Sequence, residues 1–155
     1  MDRIDVALLE LLQNDSDISI NDLSERVSLS SSACHRRIKM LEQSGAIKRY
    51  VARLDSQKIG MKLDVFVEIR LTAQTERSFR IFEKAVQQID EILECHLMSG
   101  EADYRLRVAA RDVADYDDIH RTRLARLPGV AAMHSAFAIR AIKSWTGYPV
   151  RRLLD

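Results

Sequence analysis

Apolar positions in the first 45 residues recur every three or four residues, the spacing of short amphipathic helices. Three such stripes follow one another: Ile4, Leu8, Leu11 and Leu12; then Ile20, Leu23 and Val27; then Cys34, Ile38 and Leu41. Asp2, Ser19 and Ser30 stand before the stripes as expected N-caps. Gly45 offers a left-handed stop after the third. The pattern predicts three helices, the last two joined by a tight turn.

Beyond Gly45 the pattern changes. Residues 46–54 alternate loosely, so we expect an extended segment beside the three helices, as in a winged or wing-like unit. Further on, apolar residues alternate with a period of two in four stretches and with helical spacing in two. The predicted strands are 65–71, 93–97, 104–108 and 130–142, and the predicted helices are 78–89 and 112–127.

The resulting order is strand-helix-strand twice over. This order is typical of a ferredoxin-like domain, in which two helices cover one face of a four-stranded antiparallel sheet. We therefore predict an α+β protein with an N-terminal three-helix helix-turn-helix domain (1–54), a hinge (55–63) and a C-terminal ferredoxin-like βαββαβ domain (64–155). Phe66, His96 and Phe137 are expected on the open sheet face, which would call for cover by self-association.

Charge is distributed unevenly in the first domain. Residues 1–29 hold two basic and seven acidic residues, whereas residues 30–58 hold seven basic and two acidic residues. Periodicity places five residues on the exposed side of the third helix: Ser31, Ser32, His35, Arg36 and Lys39. Cations gathered on a helix that can enter the major groove are typical of phosphate neutralisation. DNA binding is favoured over an ordinary charged helix, although His35 fits either interpretation.

Other features bound the function. No apolar run approaches the roughly 20 residues that a membrane span needs. The N-terminus is amphipathic and carries acids, which argues against a signal or transit peptide. Cys34 and Cys95 show no metal-ligand spacing and are expected to be buried thiols in a reducing cytoplasm. We expect no metal, no cofactor and no catalytic residues.

Four stretches carry a resemblance over essentially the whole chain: DRIDVALLELLQND, LSERVSLSSSACHRRIKMLEQSGAIKRY, ECHLMSGEADYRLRV, and RLPGV before the long last strand. Together they resemble the Lrp/AsnC (leucine-responsive/asparagine regulator, feast-famine) family of prokaryotic transcription regulators. The resemblance implies a cytoplasmic, sequence-specific regulator of double-stranded DNA that responds to a small amino-acid effector. It also implies homodimers, paired through their sheets, that assemble into higher oligomers, commonly octamers.

The resemblance also implies site residues. Ser31, Ser32, His35, Arg36 and Lys39 match the DNA-reading face, while Arg37 and Lys48 match phosphate contacts. The effector pocket would be lined by one loop and by the last strand, namely by Met98, Ser99, Gly100, Asp103, Tyr104, Met133 and Ser135. Gly100 permits close backbone approach to a ligand. Asp103 could accept hydrogen bonds from an ammonium group, or it could equally well stabilise the turn.

Some positions depart from the family pattern. Ser28 stands where the family usually has Gly, and Ser31 replaces a frequent Pro. A left-handed serine costs about 1 kcal/mol, so we expect the turn to survive. Met133 and the Glu101–Ala102 pair also differ from the common choices of the family, so the identity of the effector stays open. Two alternative functions also stay open: an enzyme of the same architecture, like the sirohaem decarboxylases, and an effector-independent DNA-compacting protein.

Overall fold

The computed structural model describes residues 1–154 of the 155-residue chain. By its internal contacts the chain forms two compact units. The first comprises residues 1–53 together with the C-terminal segment 142–154, and the second comprises residues 54–141. The predicted α+β class is confirmed. The expected second domain extended to residue 155, but the last segment belongs with the helix-turn-helix unit.

The first unit contains three helices, α1 (Arg3–Asn14), α2 (Ile20–Arg26) and α3 (Ser31–Gln43). Each begins where a side chain caps free backbone N–H groups. Asp2 accepts from the N–H of Asp5 at 2.9 Å and forms a reciprocal capping box with it. Ser19 and Ser30 accept from the third residue after each. The three predicted N-caps are confirmed.

The core of this unit is made by the three predicted apolar stripes. Leu8, Leu23 and Cys34 are fully or almost fully buried and pack together with Ile38 and Leu41. The turn between α2 and α3 places Ser28 in the left-handed region at φ +54°, as the departure from glycine required. In the part of the chain that the structure describes, residues 46–54 form no strand.

The C-terminal segment packs on α1. The side-chain amide of Gln13 donates to the carbonyl of Tyr148 and accepts from its N–H, both at 2.9 Å. Arg151 Nε donates to Glu10 Oε2 at 2.8 Å. A short 3-10 helix, Val150–Leu154, follows. These paired bonds reproduce one step of a strand ladder, and they complete the first unit with residues from the far end of the chain.

The second unit has the predicted strand and helix order. Its elements are β1 (Leu63–Leu71), α4 (Glu76–Val86), β2 (Ile92–Leu97), β3 (Tyr104–Ala110), α5 (Val113–Thr122), a 3-10 turn (Leu124–Arg126) and β4 (Val130–Phe137). The four strands form one antiparallel sheet in the order β2-β3-β1-β4. The ferredoxin-like prediction is confirmed, with α5 and β4 each ending about five residues early.

The two faces of the sheet differ in composition. Val65, Val67 and Ile69 are fully buried and pack in one core with Phe82 and Ile119 of the two helices. On the open face, Phe66 lies under the Arg105 guanidinium at 4.9 Å. The open face also carries several charged and histidine side chains, among them Glu68, Arg70, Glu94, His96, Arg107 and His134.

Phe137 does not lie on the open face as expected. Its cross-strand partner is Val65, and cross-strand partners project from the same side of a sheet. Its ring therefore lies on the helix side, where it meets the Tyr116 ring edge-on at a centroid distance of 5.3 Å.

Candidate nucleic-acid interface and ligand site

The exposed side of α3 presents several polar side chains to solvent. Ser32, His35 and Arg36 are exposed, as is Lys48 just beyond the helix. Neither Arg36 nor Lys48 forms an ion pair with any residue that the structure describes. An uncommitted guanidinium on a helix face has its donors free for a base edge or a phosphate.

Two of the predicted reading residues are less free. Ser31 is half-buried, and its Oγ donates to Asn21 Oδ1 at 2.9 Å, so it joins α2 to α3. Lys39 Nζ lies 2.7 Å from Glu42 Oε2, and this pairing holds the pKa of Glu42 below its usual value. The exposed flank expected for Ser31 is wrong, because its hydroxyl faces the neighbouring helix.

Arg37 is engaged within the protein. Its Nη1 atom lies 2.7 Å from Asp2 Oδ2 and 2.7 Å from Asp5 Oδ1, at the N-terminus of α1. These carboxylates raise the pKa of Arg37, with Asp5 the larger cause. A guanidinium held by two carboxylates is poorly placed to neutralise a phosphate. Sequence reasoning assigned Asp2 only to capping and missed that Asp2 and Asp5 also tie α3 to α1.

The loop between β2 and β3 is held by Asp103. This side chain is buried, with 7% of its surface exposed. Its carboxylate accepts from the backbone N–H of Leu71 and from the side-chain amide of Gln74, both at 2.7 Å. The arrangement matches the turn-stabilising alternative for Asp103. The hydrogen-bond partners of Asp103 lie about 30 positions earlier in the chain, so no local sequence motif could predict them.

Tyr104 belongs to the core. It is 1% exposed, its ring lies 4.5 Å from that of Phe82, and its hydroxyl donates to Glu83 Oε1 at 2.8 Å. Burial first, and the hydrogen bond to Glu83 second, raise the pKa of Tyr104. Its backbone pairs with β1 on one side and with β2 on the other, so Tyr104 is a structural residue of the sheet.

The other predicted effector residues lie at one end of the sheet. Met98, Ser99 and Gly100 are exposed in the β2–β3 turn. Met133 pairs with Ile69, which also pairs with Tyr104. One strand therefore separates the turn from β4, a backbone distance of about 10 Å.

Ser135, two residues beyond Met133 on β4, is exposed, and its hydroxyl hydrogen-bonds with that of Tyr116. The side chains of Asp103 and Tyr104 already have hydrogen-bond partners within the unit.

The two cysteines are in different settings. Cys34 is fully buried in the first core, and burial raises its pKa. Cys95 is half-buried, and burial, followed by the charge of Glu83, raises its pKa to about 11. Residues 1–154 contain no group of three histidine, cysteine or acidic side chains close enough to hold a metal ion. None of the helices in this part of the chain has the length and apolar character to cross a membrane.

A three-helix unit with a cationic reading helix, joined to a ferredoxin-like unit, defines a two-unit DNA-binding regulator. The domain model described as winged helix-turn-helix DNA-binding matches residues 1–48, and the model described as Lrp/AsnC ligand binding domain matches residues 64–148. The chain therefore belongs to the Lrp/AsnC family, and it is a DNA-binding transcription regulator with a ligand-binding domain.

Individual relatives agree with this assignment. The chain is 37% identical to the Bkd operon transcriptional regulator of Pseudomonas aeruginosa over 92% of this chain and 93% of that protein. It is 39% identical to the leucine-responsive regulatory protein of Haemophilus influenzae over 92% and 86%.

Solved structures of similar proteins lead to the same family. An AsnC family transcriptional regulator from Agrobacterium tumefaciens has a TM-score of 0.93 and 38% identity over 99% of both chains. A transcriptional regulator from Neisseria meningitidis, solved as an L-Met complex, has a TM-score of 0.93 and 30% identity, also over 99% of both chains.

Proposed function

We propose that this regulator binds its operator as a homodimer through α3, and that a small amino acid changes its assembly or its DNA affinity. The observation that carries the DNA half of this proposal is the exposed, unpaired Arg36 on a helix whose N-terminus is fixed by Ser30. Residues near the N-terminus of a recognition helix are the ones that reach base edges.

The proposed reading residues are Ser32, His35 and Arg36, with Lys48 on a phosphate. Lys39 joins them when it exchanges Glu42 for DNA, since both side chains lie at the surface. Ser31 and Arg37 act differently in this proposal. They orient α3 against α2 and α1, so they set the angle at which the helix enters the groove.

An amino-acid effector is supported by two relatives. One is named as leucine-responsive, and the other was solved with L-Met. In this chain the exposed turn offers the backbone N–H groups of Ser99 and Gly100 to a carboxylate, whereas the N–H of Met98 already donates to the Asp103 carbonyl. Asp103 holds that turn in place, while Met133 and Ser135 form the opposite side of the proposed site.

Self-association is supported by exposed apolar surface. Ile139, Ile142, Trp145 and Tyr148 are each more than 60% exposed in the single chain. An uncovered apolar stretch of this kind marks an interaction surface. A two-fold symmetric dimer would present two α3 helices to half-sites about 34 Å apart, or a multiple of this distance. Assembly of four dimers into an octamer would follow the family pattern.

The test is retardation of the DNA upstream of the protein's own gene, with and without each of the twenty amino acids, read together with particle mass. We expect salt-dependent binding that one or a few small amino acids shift. Binding that ignores DNA sequence and every amino acid would favour the DNA-compacting alternative. No binding even in dilute salt would overturn the proposal.

A further inference from the structure

The second unit contains a cavity away from the proposed effector turn. It has a volume of about 430 Å³, within the usual range of small-molecule sites. Ala109 and Arg111, near the end of β3 and just beyond it, line it, together with Met61 and residues of α5 and the 3-10 turn. The effector turn precedes the other end of β3. At about 3.3 Å per strand residue, the two places are roughly 17 Å or more apart.

The charges that line the cavity fall into two sets. Arg111 is neutralised by Asp115, and Asp118 is paired with Arg121. A second set, Glu91, Arg123 and Arg126, also lines the cavity.

None of these last three side chains forms an ion pair with any residue in the range 1–154. A carboxylate and two guanidiniums thus share one cavity without touching one another.

Opposite charges that share a cavity but do not meet can be bridged by a ligand that carries both. A zwitterion would place its carboxylate on Arg123 or Arg126, with charge-assisted hydrogen bonds, and its ammonium group on Glu91. The remaining lining includes the apolar side chains of Met61, Ala109 and Ile119. This surface suits an aliphatic side chain better than a charged one.

We propose that this cavity is a second ligand site, and that it takes a free α-amino acid with an apolar side chain. The inference rests on the proposed function in one respect, because it assumes that amino acids are the ligands of this domain. It differs in where they bind. An amino acid can bind in this cavity whether or not another amino acid is bound at the Met98–Gly100 turn.

Methionine methyl groups report on the two places separately. Met61 lines the cavity, whereas Met98 and Met133 lie at the proposed effector site. In protein labelled with ¹³C at the methionine methyl groups, L-leucine is titrated and the methyl resonances are followed, each assigned by a Met→Leu variant. We expect the Met61 resonance to shift with its own saturation curve.

Variants then test the charges. Glu91→Gln keeps the side-chain shape, whereas Arg126→Gln shortens the side chain. Each variant removes one charge, so we expect L-leucine to bind at Met61 about tenfold to a hundredfold more weakly. Arg80→Gln is the matched control, because this exposed arginine pairs with Glu76 on α4 and neither residue lines the cavity. It should leave the Met61 curve unchanged. Leucine methyl ester and N-acetyl-leucine, each with a single charge, should bind at Met61 at least about tenfold more weakly than leucine.

A Met61 resonance that stays fixed while Met98 and Met133 shift would overturn the second site and leave the proposed function standing. A Met61 shift that persists unchanged in both charge variants would also overturn it. If Met61 shifts and the other two stay fixed, the second site stands, and the effector site proposed at the turn fails.

Discussion

The two units of this regulator hold their candidate residues in opposite ways. On α3, Ser32, His35 and Arg36 are exposed. The start of this helix is fixed locally, because the N-cap Ser30 accepts a hydrogen bond from the N–H of Ala33, three residues further on. In the ferredoxin-like unit, Asp103 is buried and bonded to residues about 30 positions away. The first arrangement leaves side chains free to meet a large polyanion. The second uses its charged residue to shape a loop, so the carboxylate is committed to partners within the protein.

The contrast is tested most strongly at Asp103. Asp103→Ala should lower the free energy of unfolding by about 3 kcal/mol, because it leaves the buried N–H of Leu71 without a charged acceptor. Denaturant unfolding of the ligand-free protein measures the loss. Asp117→Ala, an exposed change on α5, is the control and should have almost no effect. An Asp103→Ala protein of unchanged stability would mean that the carboxylate does not stabilise the loop.

On α3 the corresponding change should affect binding without affecting stability. Arg36→Ala should weaken operator binding by about 2 kcal/mol if the guanidinium contacts a base, with no change in unfolding. Affinity is measured by retardation at fixed salt, and Arg121→Ala in the other unit is the control. Equal affinities for Arg36→Ala and the unaltered protein would remove Arg36 from the reading face.

Whether the N-cap Ser30 fixes the start of α3 can be tested by mutation. Ser30→Ala should destabilise the first unit by about 1 kcal/mol, because the N–H of Ala33 loses its side-chain acceptor. Thermal or denaturant unfolding measures the change. Ser32→Ala, two residues on and inside the first turn, should cost much less. Similar losses for both variants would show that the cap does not fix the start of α3.

The smallest expected effect is a gain in stability. Ser28→Gly should stabilise the turn by about 0.5–1 kcal/mol, because glycine adopts φ +54° without the steric cost that serine bears. The gain is partly offset by the larger backbone entropy of glycine in the unfolded chain. Unfolding measurements on matched proteins reveal it. A loss of stability would indicate that the Ser28 side chain contributes more than the turn strain costs.

Sequence reasoning succeeded where the determinants are local. The caps at Asp2, Ser19 and Ser30 and the strand and helix order all follow from spacing within a few residues. It did less well where the deciding partner is distant. Nothing near Arg37 in sequence shows that its guanidinium reaches Asp2, and nothing near Asp103 points to Gln74. Phe137 was assigned to the wrong face because the register of an edge strand depends on its partner, β1.

The attachment of Tyr148 to Gln13 has a consequence for biosynthesis. The helix-turn-helix unit is discontinuous in sequence. The ribosome therefore makes the whole second unit before it makes the C-terminal segment that packs on α1. A nascent chain halted after residue 53 would hold three helices with the outer side of α1 still bare. Completion of the DNA-binding part is thereby tied to translation of the chain beyond the whole second unit.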